Sequence, residues 1–191
     1  MEVGGHGYQN YLNAEMENGR IYREHPEWFG LDSKGKRSKS AHRVFCSSNK
    51  EAVNYLQKSV LDYLDKHPEI DIFDFWPPDG ARWCRCEKCL AMSNEPFRHA
   101  KLVSDMAEIL QQEKPGVKLE CIAYSNYLEP PKGIILDANI LVDFCPIDRS
   151  FEVPIYSKAN EKNKRYSNCL IKWLDSFGGD ISIYSYYRKY A

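Results

Sequence analysis

In Trp83-Cys84-Arg85-Cys86-Glu87-Lys88-Cys89 three thiols lie within six residues, close enough to hold one ion. Thiolates bind zinc tightly in a tetrahedral site with four ligands, so a fourth must come from elsewhere. Cys46 is the first choice, because it ends an expected strand whose rim loop adjoins this one; His99 is the second. A disulfide plus a free thiol, or plain free cysteines, are the competing readings. A closed all-thiolate site would make the metal structural, since catalytic zinc keeps an open position.

Just before the cysteines, Trp76-Pro77-Pro78-Asp79-Gly80 places a carboxyl after an expected strand and beside an indole. Partial desolvation there would raise the pKa of Asp79 toward that of a general acid. The competing reading is an ordinary Asp-Gly turn. Glycosidases pair such an acid with a second carboxylate acting as base or nucleophile, and Glu129, Asp143 and Asp148 are the available partners. Trp76, Tyr124, Tyr127 and Tyr186 could stack on or hydrogen-bond a sugar, although Trp76 is equally readable as a core residue. His6 and Asn49 add polar groups at strand ends. Gly4-Gly5-His6-Gly7 lacks the spacing of a phosphate loop and no strand is evident before it.

These residues need a scaffold that brings loops together. Ser48 with Glu51 reads as a capping box, and Val53, Leu56, Val60 and Leu64 follow at helical spacing as far as His67-Pro68. A second helix spans residues 97–112, with Leu102, Met106, Ile109 and Leu110 on one face. A third starts near Lys162, carries Tyr166, Leu170, Trp173, Leu174 and Phe177, and stops at Gly178-Gly179. Between and around them, 44–46, 70–76, 117–124, 139–145 and 181–187 read as strands. Leu128-Glu129-Pro130-Pro131 has no helical pattern, so one outer helix is expected to be short or missing. Alternation of this kind predicts parallel strands joined by right-handed crossovers, with ligands meeting the carboxyl ends of the strands.

At 191 residues the chain supports one domain, residues 1–191, but falls short of the roughly 250 residues of a closed eight-stranded barrel. The expected fold is therefore α/β: a partial (β/α)8 TIM barrel of glycoside-hydrolase type, with outer helices, belonging to a longer parent protein. Lys and Arg number 26 against 27 Asp and Glu, which leaves no basic field for nucleic acid or an anionic membrane surface. No apolar run reaches a membrane span, and the first residues lack the regions of a signal peptide. Thirteen Tyr and four Trp suit contact with sugars or peptides.

The sequence also resembles a glycosidase-like family of unknown function, often found after an alpha-glucuronidase-type amino-terminal domain in bacterial polysaccharide-degrading systems. The residues that carry the resemblance are Gly5-His6, His25-Pro26-Glu27-Trp28-Phe29, Gly35-Lys36-Arg37, Cys46-Ser47-Ser48-Asn49, Asp79-Gly80, Cys84-x-Cys86-Glu87-Lys88-Cys89, Ala123-Tyr124 and Pro130-Pro131. It implies a TIM-barrel fold, a carboxylate role for Asp79, a carbohydrate substrate or ligand and a periplasmic or secreted setting. Trp76-Pro77-Pro78 departs from the family, which more often has small polar residues there.

Overall fold

Each long helix is set by a side-chain cap and an apolar stripe. The computed structural model describes residues 1–12 and 19–186. In α1 (Arg20–Glu24) and α3 (Glu87–Ala91) a single short turn suffices; α2 (Lys50–Lys66), α4 (Glu95–Glu113) and α5 (Glu161–Ser176) form the outer layer. The cap of α2 is Asn49, whose side chain accepts from the Ala52 N–H, so the expected capping box at Ser48 is displaced by one residue. Asn94 and Asn160 cap α4 and α5 in the same way. Such caps satisfy donors that the first helical turn leaves without partners. On α5 the buried residues include Tyr166, Cys169 and Trp173, whereas Leu174 is 62% exposed and does not join the core as its spacing suggested.

Five parallel strands make one open sheet in chain order: β1 (Glu2–Val3), β2 (Ile72–Asp74), β3 (Lys118–Ala123), β4 (Ile140–Phe144) and β5 (Asp180–Ile183). An order without reversal, combined with right-handed crossovers, sets every connecting helix on the same face. Among the described residues the sheet stays open, with β1 and β5 at its edges.

Two strand expectations are corrected. Val44-Phe45-Cys46 is buried but pairs with loops, Val44 N–H donating to the Arg82 carbonyl and Cys46 N–H to that of Trp28. The first strand is instead Glu2–Val3, directly before the glycine-rich segment. Two residues are too few to show a pattern, so sequence periodicity had nothing to register. The last strand ends at Ile183, and Tyr187 lies outside the described residues. Between β3 and β4 only a 3-10 turn, Ser125–Tyr127, intervenes.

Phe73, Leu119, Cys121, Ala123, Ile140, Val142 and Phe144 are all buried and share one sheet face, packed in the same core as Leu56, Val60, Val103, Met106 and Trp173 of the helices. No helix among the described residues is long and apolar enough to cross a membrane. The loop after β4 is tied down by Asn163 of α5, which is fully buried. Its Oδ1 accepts from Ser150 N–H, and its Nδ2 donates toward the carbonyls of Ser150, Val153 and Pro154. Asn163→Ala leaves those groups without partners and is expected to cost about 2–3 kcal/mol. A thermal melt should therefore shift down by several degrees, and an unchanged melting temperature would refute the assignment.

Candidate functional site

Alternate strand residues turn away from the helices. On this inner face Asp74 is in register with Glu120 on the neighbouring strand, and Ile122, Asp143 and Ser182 run across β3, β4 and β5. Glu120 is 3% exposed and Asp143 5%. Oxygens of Glu2, Asp74 and Glu120 all lie within 4.8 Å of one another. Gly4 is required beside them: it has φ +137°, and a Cβ there would sit 2.4 Å from the Asp74 carbonyl.

Crowding of carboxyls on a dry face disfavours their charged forms. Desolvation, followed by the charges of Asp143, Asp74 and Glu2, pushes the Glu120 carboxyl up to about 8, while the Trp76 N–H pulls the other way. Desolvation and the charges of Glu2 and Asp143 bring Asp74 up to about 6. Burial raises Asp143 too, opposed by hydrogen bonds from Ser182 and Cys145.

Above the carboxyls, at the carboxyl ends of the strands, aromatic groups gather. The ring of exposed His6 stands 5.3 Å from Trp76 and 6.0 Å from Tyr124. Its Nδ1 lies 2.8 Å from the Pro77 carbonyl, which can only accept, so Nδ1 is the donor in that bond. Half-buried Tyr186 packs 4.9 Å from Tyr184, and burial, then Cys145, raises its phenol pKa. His6, Trp76 and Tyr124 therefore lie together, with Tyr186 in electrostatic range of Tyr124.

Other candidates lie elsewhere. Asp79 is exposed in an Asp-Gly turn at Gly80 (φ +64°), and its carbonyl accepts from His42 Nδ1. The desolvation expected from Trp76 is absent because the turn carries the side chain into solvent. Glu129 is exposed and pairs with Lys172 of α5 at 3.1 Å, in the helical layer. Asp148 is exposed on the loop after β4, where its N–H donates to Tyr166. Tyr127 accepts from the Trp83 indole at 2.7 Å, which fixes its hydroxyl within the packing, and the Asn49 side chain serves the helix cap. Asp74 and Glu120 escaped the sequence reading, although an acidic residue inside a parallel strand, where both faces are normally apolar, was the available signal.

Some distance from this face, Cys46, Cys84, Cys86 and Cys89 bring their four sulfurs within 4.8 Å of one another. Cys46 Sγ lies 3.6 Å from that of Cys86 and 3.8 Å from that of Cys89. A tetrahedral zinc with bonds near 2.3 Å separates its sulfurs by roughly 3.8 Å, so the donor set fits. Leu31 N–H donates to Cys84 Sγ, and Cys89 N–H to Cys86 Sγ. Ser48, the residue displaced from the helix cap, turns its hydroxyl to Cys89 at 3.2 Å. Hydrogen bonds from Cys46 and Cys84 hold the Cys89 thiol pKa far down, and the contacts with Cys46 and Cys89 drive Cys84 up. His99 is not part of the group: it is buried between Tyr8 and Tyr127, and burial lowers its pKa to about 3, leaving it neutral.

A family profile described as a domain of unknown function, DUF4838, matches residues 2–191. The chain belongs to this family. Among solved structures, the DUF4838 chain is similar to the alpha-galactosidase from Lactobacillus brevis at 19% identity and a TM-score of 0.39. The match covers 53% of this chain and 14% of that one, so it spans about a seventh of that enzyme's length. The curated proteins contain no match.

Proposed function

We propose that this DUF4838 chain supplies the substrate face of a glycoside-hydrolase-like α/β barrel that acts on complex carbohydrate, the remaining strands coming from the rest of a parent protein. The observation that carries the reading is the inner face itself, with Asp74, Glu120 and Asp143 beneath His6, Trp76, Tyr124 and Tyr186 at the carboxyl ends of parallel strands. Aromatic faces hold sugar rings, and two carboxyls with unlike proton affinities can divide acid and base roles. Glu120, protonated at neutral pH, is the acid; Asp143, hydrogen-bonded by Ser182, is the base or nucleophile. Zinc on the four thiols acts as a structural clip that fixes the loops around residues 31, 46 and 84–89.

The test is hydrolysis of a panel of polysaccharides and aryl glycosides by the protein carrying this domain, with Asp143→Asn and Glu120→Gln variants. Each variant should keep its fold and lose at least about 100-fold in kcat. Unchanged cleavage by Asp143→Asn would overturn the catalytic assignment. Glycan binding without hydrolysis by the wild type would favour a non-catalytic carbohydrate-binding or scaffold domain with the same zinc clip.

A further inference from the structure

The four cysteines are not equivalent in their access to solvent. Cys84 and Cys89 are fully buried, whereas half-buried Cys86 and the edge of Cys46 line an open groove of about 530 Å³ with Arg37, Ser48, Lys50 and Lys88. Arg37, Lys50 and Lys88 in this lining are matched by Glu27, Glu51 and Glu87, so access rather than net charge sets the two bordering sulfurs apart. Those sulfurs are 3.6 Å apart and come from different elements, Cys46 preceding α2 and Cys86 capping α3. All seven cysteines are free thiols.

We propose that Cys46 and Cys86 are an oxidation site, at which hydrogen peroxide converts the metal-bound thiolates into a disulfide and expels the ion. The inference rests on the zinc reading above. Cys86, the accessible sulfur, attacks peroxide; the O–O bond breaks, one oxygen stays on sulfur as sulfenic acid, and the other leaves as water after taking a proton. Cys46 then attacks the Cys86 sulfur, the S–O bond breaks, and the oxygen leaves with a proton from solvent as a second water. Two sulfurs have been oxidised by two electrons and one peroxide reduced. Cys84 and Cys89, left as a pair, cannot hold zinc in a four-ligand site and take up protons as the ion departs. Because residues 46 and 86 already bridge the loops that the metal clamps, the disulfide preserves their connection after the ion has gone.

The experiment starts from protein whose zinc content has been measured, exposes it to hydrogen peroxide, follows zinc release with a colorimetric chelator and maps disulfides by mass spectrometry after thiol alkylation. One zinc per chain should be released together with a Cys46–Cys86 link, and a thiol reductant should restore metal binding. Cys86→Ser should release zinc at least tenfold more slowly; if that variant holds no zinc, the wild-type disulfide map decides alone. A Cys84–Cys89 or Cys46–Cys89 link, or release without any disulfide, would overturn the proposal. A chain that binds no zinc yet forms the Cys46–Cys86 link would remove the metal reading and leave the oxidation site standing.

Discussion

Cys89→Ala is expected to abolish metal binding and to lower the melting temperature by about 10 °C relative to the zinc-loaded chain. Structural zinc sites contribute folding energy directly, since the ligands are assembled only in the folded state. The effect here should be smaller than in an isolated zinc finger, because the sheet and helices bury a core of their own. A loss of about 3–4 kcal/mol corresponds to that shift in a domain of this size. It should be local in origin. Cys84 accepts from Leu31 N–H through sulfur and from Arg98 Nη1 through its carbonyl, and Cys46 N–H donates to Trp28, so loosening the cluster releases three loops together. Hydrogen exchange should speed up in residues 28–31, 46–48 and 84–89 before it does in β3 or β4. Metal analysis and scanning fluorimetry of both proteins provide the check; equal metal content or equal melting temperatures would sink the zinc clip.

Glu120→Gln is expected to stabilise the domain at alkaline pH and to leave it nearly unchanged in acid. The folded chain holds the Glu120 proton up to about pH 8, against an ordinary carboxyl value of 4.5, because burial and three neighbouring acids oppose its ionisation. Between those values the folded state binds more protons than the unfolded one. The stability associated with the neutral carboxyl is therefore fully present below pH 4.5 and lost as pH rises through about 8. Asp74 acts in the same sense up to about pH 6, while His99, neutral down to about 3, weakens the fold below pH 6.5. Between pH 6.5 and 8 the comparison with the variant reads Glu120, because Asp143, also raised by burial, is present in both proteins. There the wild type should lose about 1–2 kcal/mol against the variant, less than full linkage because solvent reaches the open end of the sheet face. Denaturant melts at pH 5, 6.5 and 8 measure the difference, and parallel curves for the two proteins would show that Glu120 ionises normally.

The scaffold was more legible than the site. α2, α4 and α5 announced themselves through long apolar stripes, and β3 and β4 through mostly apolar runs interrupted by Glu120 and Asp143, because many residues repeat the same signal. β1 did not, having two residues, and Val44-Phe45-Cys46 imitated a strand because a buried loop needs the same side chains as a buried ladder. The cysteine cluster could be read from spacing, and its fourth member from the adjacency of rim loops. The carboxyls needed a finer distinction. Asp79 drew attention by following an expected strand, yet β2 ends at Asp74 and the turn at Gly80 leaves Asp79 exposed. Asp74 and Glu120 lie inside strands, where Phe73 and Phe75, or Leu119 and Cys121, take the helix side and leave the acids facing inward. Which face a strand residue takes depends on register, and register becomes visible only when the neighbouring strands are in place.

The unreversed strand order also governs how the chain can assemble. β3 and β4 are joined by segment 124–139 and share five paired positions, whereas β1 must be recovered across segment 4–71 to make only two. A loop roughly fourfold longer adds about 1 kcal/mol of closure entropy for a smaller return. Formation of the sheet is therefore expected to begin at its centre and zip outward, with the first strand the last to dock and the first to fray. His6, three residues beyond that strand, thus adjoins the part of the sheet held by the fewest ladder contacts.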